Sequence, residues 1–515
     1  MHGLQFLSSL VGQVASKLLE NRRLVLDNWW LEPIFFWIMI KNDIRREECR
    51  VGSRCRWVIS SLKTIIGMTQ FTTIETREIS AKMSQTSAPQ IAQELFEQIR
   101  QWPIYDPHSH IDPHRPAARH FDEVLGYHYF TELAHSAGMP ASLVDPELEP
   151  STRCRNLARW LERIDNTVQY SWLLEIAREF HGFEGDAVNS ETIEELISAA
   201  DKESEGPQWD ATVWKKSNLE SVFLTNDFDD SLQGWDTAQY IPCLRTDDLV
   251  LKLHEPRTRQ RLNAFAGLEV VDYNSLRVAI GKIFDHFMKH GVRACAISLP
   301  PDFAPHRPPT ISATTPLRRA LTGLDVRPDE IDLVRRTVFW MLAEFCNDYK
   351  LPFDLMIGPI RNIYPAGVSG GRDLFDRRVS LADYKDVFNA FPDVTFPVST
   401  LSPDAGAELV AYSWIFPNVV PNGHWWYSNV PSFIAADLKA RVEAVPKTKI
   451  VGYYSDAYKL EFVLPKFNTF RRVLSQTLAE SCVIERGWKF DQCLSLANMI
   501  LRENPRRIFA RPGEI

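Results

Sequence analysis

From residue 103 onward, short runs of β-branched and aromatic residues alternate with longer stretches whose apolar positions recur at helical spacing. The runs are Ile104–Asp106, Ser221–Thr225, Tyr240–Leu244, Ala294–Leu299, Phe353–Ile357, Val394–Val398, Val419–Asn422 and Lys449–Tyr454. Eight such runs separated by helical patterns predict an α/β fold whose parallel strands close into a (β/α)8 TIM barrel. A doubly wound open sheet is the alternative, although no GxGxxG follows the first run. The interval of about residues 115–218 is too long for a simple loop. It holds Leu157-Ala-Arg-Trp-Leu-Glu-Arg-Ile164 and Trp172-Leu-Leu-Glu-Ile-Ala-Arg-Glu-Phe180, both with apolar residues at helical spacing. It is expected to form an inserted helical subdomain after the first strand.

Residues 1–82 break this order, with no sustained helical or strand period. They carry twelve of the 58 Lys and Arg but only eight of the 66 Asp and Glu, so they are slightly basic where the remainder is acidic. The apolar stretch Ile34–Ile40 stops at Lys41, too short to span a bilayer, and lies too far from Met1 for a secretory signal. We expect residues 1–82 to be an extension outside the core, with Met83 as a natural start and a membrane-associating role as the rival reading. Residues 83–515 then form the barrel domain, without stable membrane insertion.

Composition narrows the partners. With 45% apolar and 11% aromatic residues in 515, a large core is available. A formal charge of -8 argues against a nucleic-acid partner held through phosphates. The eight cysteines are scattered without a CxxC pair, which suits reduced, buried thiols and predicts a cytoplasmic protein.

Candidate chemistry gathers at the ends of the predicted strands, where a barrel of this kind places its catalytic groups. The first run ends in Asp106-Pro-His108-Ser-His110, and alternate residues on a strand face the same way. His108 and His110 can therefore share one divalent metal, zinc being the best match, although a structural or surface pair is the plainer reading. The eighth run is followed by Ser455-Asp456; in a closed barrel this carboxylate neighbours the first strand, where it can complete the metal set or act as a base. Its plainer alternative is an N-cap of the next helix. His424 is expected to be packed or exposed, with replacement of a lost ligand as the alternative, and His114 and His120 are expected at the surface.

His-x-His on the first strand with Asp on the eighth resembles the amidohydrolase superfamily. Further stretches are similar to the uronate (glucuronate) isomerase family. They are Gly126-Tyr-His128-Tyr129 with Ser136-Ala-Gly138, Asn166–Phe180, Leu224–Leu232 and Pro242-Cys-Leu-Arg245-Thr-Asp247. Ile357-Gly-Pro-Ile-Arg361-Asn362, Trp425-Trp426-Tyr-Ser-Asn429 and Ser455-Asp456 followed by Phe470-Arg-Arg472 continue the likeness to the C-terminus, in the family's order.

The resemblance implies an aldose–ketose isomerase acting on a hexuronate such as glucuronate or galacturonate, in carbohydrate catabolism. Asp456 would be its base, a metal on His108, His110 and Asp456 its electrophile, and Arg361 with Arg245 the clamp for the sugar-acid carboxylate. Tyr129, His128, Trp425 and Trp426 would line the pocket. No nucleotide cofactor is implied, and a homo-oligomer is compatible with the reading. The chain also departs from the family. Met356 stands where the family has a histidine on the fifth strand, Ala296-Ile297 replace an aspartate–histidine pair, and Tyr458 replaces an arginine. These losses keep two rivals open: a metal-dependent hydrolase or decarboxylase, and a sugar-acid binding relative without catalysis.

Overall fold

The computed structural model describes residues 87–511 apart from 205 and 207, without the side chains of 310–312. The expected extension, 1–82, lies outside the described residues. Among the latter the strands are β1 (Ile104–Asp106), β2 (Leu219–Phe223), β3 (Asn226–Asp227), β4 (Tyr240–Ile241), β5 (Leu244–Arg245), β6 (Cys295–Leu299), β7 (Phe353–Ile357), β8 (Pro359–Ile360), β9 (Leu374–Phe375), β10 (Phe396–Thr400) and β11 (Val419–Pro421). One sheet runs β1-β2-β4 and a second β11-β10-β7-β6-β5-β3, all pairs parallel, while β8 and β9 form a separate antiparallel pair.

The break between the two larger sheets is local. Val222 N donates to Gln239 O, Leu224 N to Ile241 O and Asn226 N to Cys243 O, so β2–β3 and β4–β5 run side by side across it. The third predicted run thus becomes two short strands around Pro242, which has no N–H to give the ladder. Residues of β7 and β10 are buried along their whole length, which explains why these runs are mostly apolar and show no strict alternation.

Two expectations need correction. The second and sixth strands sit at 219–223 and 396–400, each offset by two residues from the predicted runs. The eighth run forms no strand element: a 3-10 turn occupies Lys447–Lys449, and pairing shrinks to one parallel bridge between Asn422 and Val451. At Gly452 the backbone turns its N–H to Ile500 O at 3.1 Å, and a Cβ there would lie 2.4 Å from the Ile500 side chain. The segment is thus pressed onto the C-terminal helices instead of extending a ladder. Beyond it, Asp456 N donates to His108 O (3.1 Å) and His110 N to Ala457 O (2.8 Å), which ties it to the end of β1.

Between β1 and β2 lie the helices Phe121–Leu125, His128–Ser136, Pro150–Ala158, Val168–His181, Ile193–Ser204 and Trp209–Lys216, in line with the helical periodicity. A small apolar cluster joins Tyr105, Phe223, Ile241, Cys243, Ala296, Val420, Val451 and Phe509, drawn from β1, β2, the third run, β6, β11, the eighth run and the C-terminal turn. Two larger clusters pack helices against the outer strand faces. The six described cysteines are buried and free, and no helix among the described residues is long and apolar enough to cross a membrane.

Candidate metal centre and sugar-acid pocket

Asp456 is the hub of the candidate site. Its Oδ1 lies 3.3 Å from His110 Nε2 and 3.6 Å from His108 Nε2, with the two imidazoles edge-to-face at 5.1 Å. Its Oδ2 accepts from the Tyr129 hydroxyl at 3.4 Å, and its carbonyl from the Tyr127 hydroxyl at 3.2 Å. The backbone of Asp456 is left-handed (φ 51°), a conformation that costs a side-chain-bearing residue on the order of 1–2 kcal/mol. Asp456 caps no helix, because the next turn begins at Leu460 with Lys459 before it.

Burial pushes the Asp456 carboxyl up, but hydrogen bonds from His108 and His110 and the charges of His110 and Lys466 outweigh it and hold the group far below the usual carboxylate range. Asp456 is therefore an anion. Burial lowers His108, yet the hydrogen bond and charge of Asp456 bring it above its ordinary value; for His110 burial wins and the net shift is down. Below them Asp106, fully buried, accepts from Ser455 N at 2.8 Å and from the Ser455 hydroxyl, and burial raises its carboxyl to about 6.

These side chains meet the requirements of a cation site. One ligand atom each from His108, His110 and Asp456 lies within 4.8 Å of the others, a nitrogen–nitrogen–oxygen set suited to a divalent metal. His108 Nε2 is buried with only the long 3.6 Å contact to Asp456 Oδ1, a spacing that leaves this nitrogen open to a ligand.

A cavity of about 1190 Å³ opens over this cluster. Its wall includes His110 and Asp456 together with Arg245, Arg361, Tyr129, His128, Trp425 and Trp426, while His108 lies behind them, 3% exposed. These eight side chains thus line one cavity. Arg361 follows β8 with its side chain 58% exposed, paired to Asp373 at 2.7 Å and donating to Ser298 Oγ at 3.4 Å. Arg245, at the end of β5, is paired to Asp247 at 3.4 Å. Burial pulls His128 down to about 4, so its ring enters the wall neutral.

Other sequence-stated residues lie elsewhere or act as packing. His424 is buried and paired to Asp437 at 2.7 Å, and Arg441 holds the same carboxylate, so it does not join the metal cluster. His114 and His120 are exposed. Met356 and Ala296-Ile297 are buried apolar packing on β7 and β6, so neither strand supplies a ligand at those positions. Tyr458 stacks on His110 at 4.9 Å and enters the cavity wall, where burial raises its phenol to about 12.

Sequence reasoning missed Lys466. It is fully buried in the helix Val463–Thr477 and reaches the Asp456 backbone. Its signal is a lysine on the apolar face of that helix, one turn from Phe462 and Phe470, where a core residue is expected.

The uronate isomerase of Thermotoga neapolitana is 22% identical over 440 residues, covering 81% of this chain and 96% of that protein. The uronate isomerase of Phenylobacterium zucineum is 23% identical over 458 residues, covering 81% and 93%. Among solved structures, the uronate isomerase of Thermotoga maritima superposes with a TM-score of 0.74 at 20% identity, over 81% of this chain and 97% of that one. The glucuronate isomerase of Caulobacter crescentus does so with 0.76 at 19%, over 84% and 96%; at such identities these likenesses speak to the fold. The glucuronate isomerase family profile matches residues 82–504, four fifths of the sequence, and the chain belongs to that family.

Proposed function

We propose that this protein is an aldose–ketose isomerase that interconverts a hexuronate, glucuronate or galacturonate, with its ketose form. The observation that carries the reading is an anionic Asp456 between His108 and His110, at the edge of a cavity that also holds two guanidinium groups. The fold belongs to the same proposal. The strands close into a (β/α)8 barrel, supported by the apolar cluster that joins β1 and β2 to β6, β11 and Val451 and by the bonds between Asp456, Ala457 and the end of β1. The helices of residues 115–218 are an inserted subdomain, and residues 1–82 an extension outside the catalytic unit, in keeping with a family match that opens at residue 82.

Isomerisation moves a proton from C2 to C1 while the aldehyde and the neighbouring hydroxyl exchange oxidation state through an enediol. Oδ1 of Asp456 faces both histidines, which leaves Oδ2, next to the Tyr129 hydroxyl, to take the C2 proton and return it to C1. His108, His110 and Asp456 would hold a divalent cation, best zinc, whose charge stabilises the oxygens at C1 and C2. Arg361, with Arg245, binds the C6 carboxylate; its planar fork suits two oxygens. Trp425 and Trp426 present apolar faces that exclude water from the sugar, and neutral His128 with Tyr129 meets its hydroxyls. The partner is then a small sugar acid, handled in the cytoplasm without a nucleotide.

Zinc-loaded protein incubated in deuterium oxide with a panel of uronates tests this. Ketose formation with deuterium appearing at carbon is expected. A protein that forms no ketose and incorporates no deuterium with any member would end the proposal.

A further inference from the structure

Lys466 is an ammonium group placed where the fold alone gives little reason for one. It is 0% exposed, and burial pulls it down to about 8 against the attraction of Asp456 and Asp106. Its three hydrogen-bond acceptors are Ser455 O at 2.9 Å, the Tyr127 hydroxyl at 3.0 Å and Asp456 O at 3.5 Å, and none is a carboxylate. Around it stand three rings, with centroids 5.0 Å (Tyr127), 5.1 Å (Tyr129) and 5.3 Å (Trp172) from Nζ. Such faces attract a cation, which offsets part of the desolvation. The cage itself is anchored, since the Trp172 indole donates to Thr469 Oγ1 at 2.9 Å on the helix that carries the lysine.

What the ammonium holds is the peptide on either side of the Asp456 nitrogen and carbonyl. That segment is the one with left-handed backbone, and a left-handed aspartate persists only where its surroundings fix it. Tyr127 works in the same direction, because its hydroxyl accepts from Lys466 and lies 3.2 Å from Asp456 O. The two phenols next to the ammonium thus contact Asp456 at both ends, Tyr127 at the carbonyl and Tyr129 at Oδ2.

We propose that Lys466 is a positioning residue for Asp456: it fixes the strained backbone there so that Oδ1 points between His108 and His110 and Oδ2 toward the sugar. The inference rests on the ligand and base roles proposed above for Asp456. It does not make Lys466 a catalytic residue, for it lies behind the aspartate and outside the cavity wall.

The test compares zinc-loaded wild type with Lys466→Met, which keeps length but removes the charge and donors, and Lys466→Arg, which keeps both. Lys466→Met should lose kcat about 10²-fold, as about 1 Å of misplacement does, with KM changed less than about threefold. Its zinc affinity, measured against a chromogenic chelator, should fall about tenfold. Lys466→Arg should recover kcat and zinc affinity to within about tenfold and threefold of wild type. Wild-type kcat and zinc affinity in Lys466→Met would overturn the proposal, as would a folded Lys466→Arg no better than Lys466→Met. Should Lys466→Met not fold, Tyr127→Phe decides: a loss of kcat of about tenfold at unchanged KM supports the role, and unchanged kcat refutes it. If wild type turns over no uronate, the proposed reaction fails, while the zinc affinities still decide the case of Lys466.

Discussion

Arg361 and Asp373 form a pair at the rim of the cavity: Nη1 lies 2.7 Å from Oδ2, and Asp373 Oδ1 accepts from Asn362 N at 2.7 Å. Asp373 therefore holds the arginine side chain and the backbone of the next residue, while more than half of the arginine side chain stays exposed. We expect Arg361→Lys to raise KM for a uronate about tenfold or more with a much smaller change in kcat, because a point charge replaces a two-pronged donor. Steady-state kinetics over a range of uronate concentrations checks this, and an unchanged KM would move the clamp elsewhere.

Asp456→Asn should show the opposite pattern. The amide keeps the size of the side chain but cannot take a proton, and losing general-base help costs about 10²–10⁴-fold in rate. Uronate binding, measured by calorimetry, should change little because the proposed carboxylate clamp, Arg361 and Arg245, lies after β8 and at the end of β5. Turnover near the wild-type rate would place the base on another residue.

His108→Ala and His110→Ala are each expected to lower bound zinc, measured by elemental analysis after dialysis, with little loss of fold. The reason is that His110 faces the cavity and the Nε2 of His108 has only a long contact to Asp456, itself part of the same cluster. Full zinc stoichiometry in both variants would dismiss the ligand assignment.

Stability should carry a pH signature from Glu461. The group is fully buried, and burial raises it from 4.5 to about 7 although Ala118 N (2.9 Å) and the Trp209 indole (3.2 Å) donate to its Oε1. The folded state thus holds a proton that the unfolded state has released. Stability is full below the unfolded value, falls as pH rises from about 4.5 through about 7, and stays reduced above. Glu461→Gln keeps the accepting oxygen and removes the ionisation, so it should raise the melting temperature at pH 8 and leave it nearly unchanged at pH 5. Equal shifts at both pH values would show that Glu461 titrates normally in the fold.

The sequence disclosed the parts of the fold that repeat. β1 and β7 coincide with the predicted runs, because Ile104–Asp106 and Phe353–Ile357 are mostly apolar and their single aspartates, Asp106 and Asp354, are buried with them. The eighth run was misleading, since Gly452 exchanges its ladder bond for Ile500, a contact between segments distant in sequence that local propensity does not encode. The candidate site was legible in His108, His110 and Asp456 because these residues follow the first and eighth runs, whose ends lie side by side; strand alternation was not what placed them, since β1 ends at Asp106. Lys466 was not, since a lysine in a helix reads as a solvated residue until its neighbours in space are known. Arg361 stood out in the sequence, but the role of Asp373 as its anchor depends on the β8–β9 pairing that brings the two together.

The contact between Asp106 and Ser455 joins positions 349 residues apart. Closing so long a loop has an entropic cost that grows only with the logarithm of its length, about 0.6 kcal/mol for each doubling. Segments that bulge out between these two anchors therefore add little to the cost of bringing them together, whatever they add in surface or packing. The helices between β1 and β2 can lengthen, shorten or be exchanged while the aspartate–serine latch beneath Asp456 stays in place. Conserving the latch thus leaves the architecture around it free to diverge.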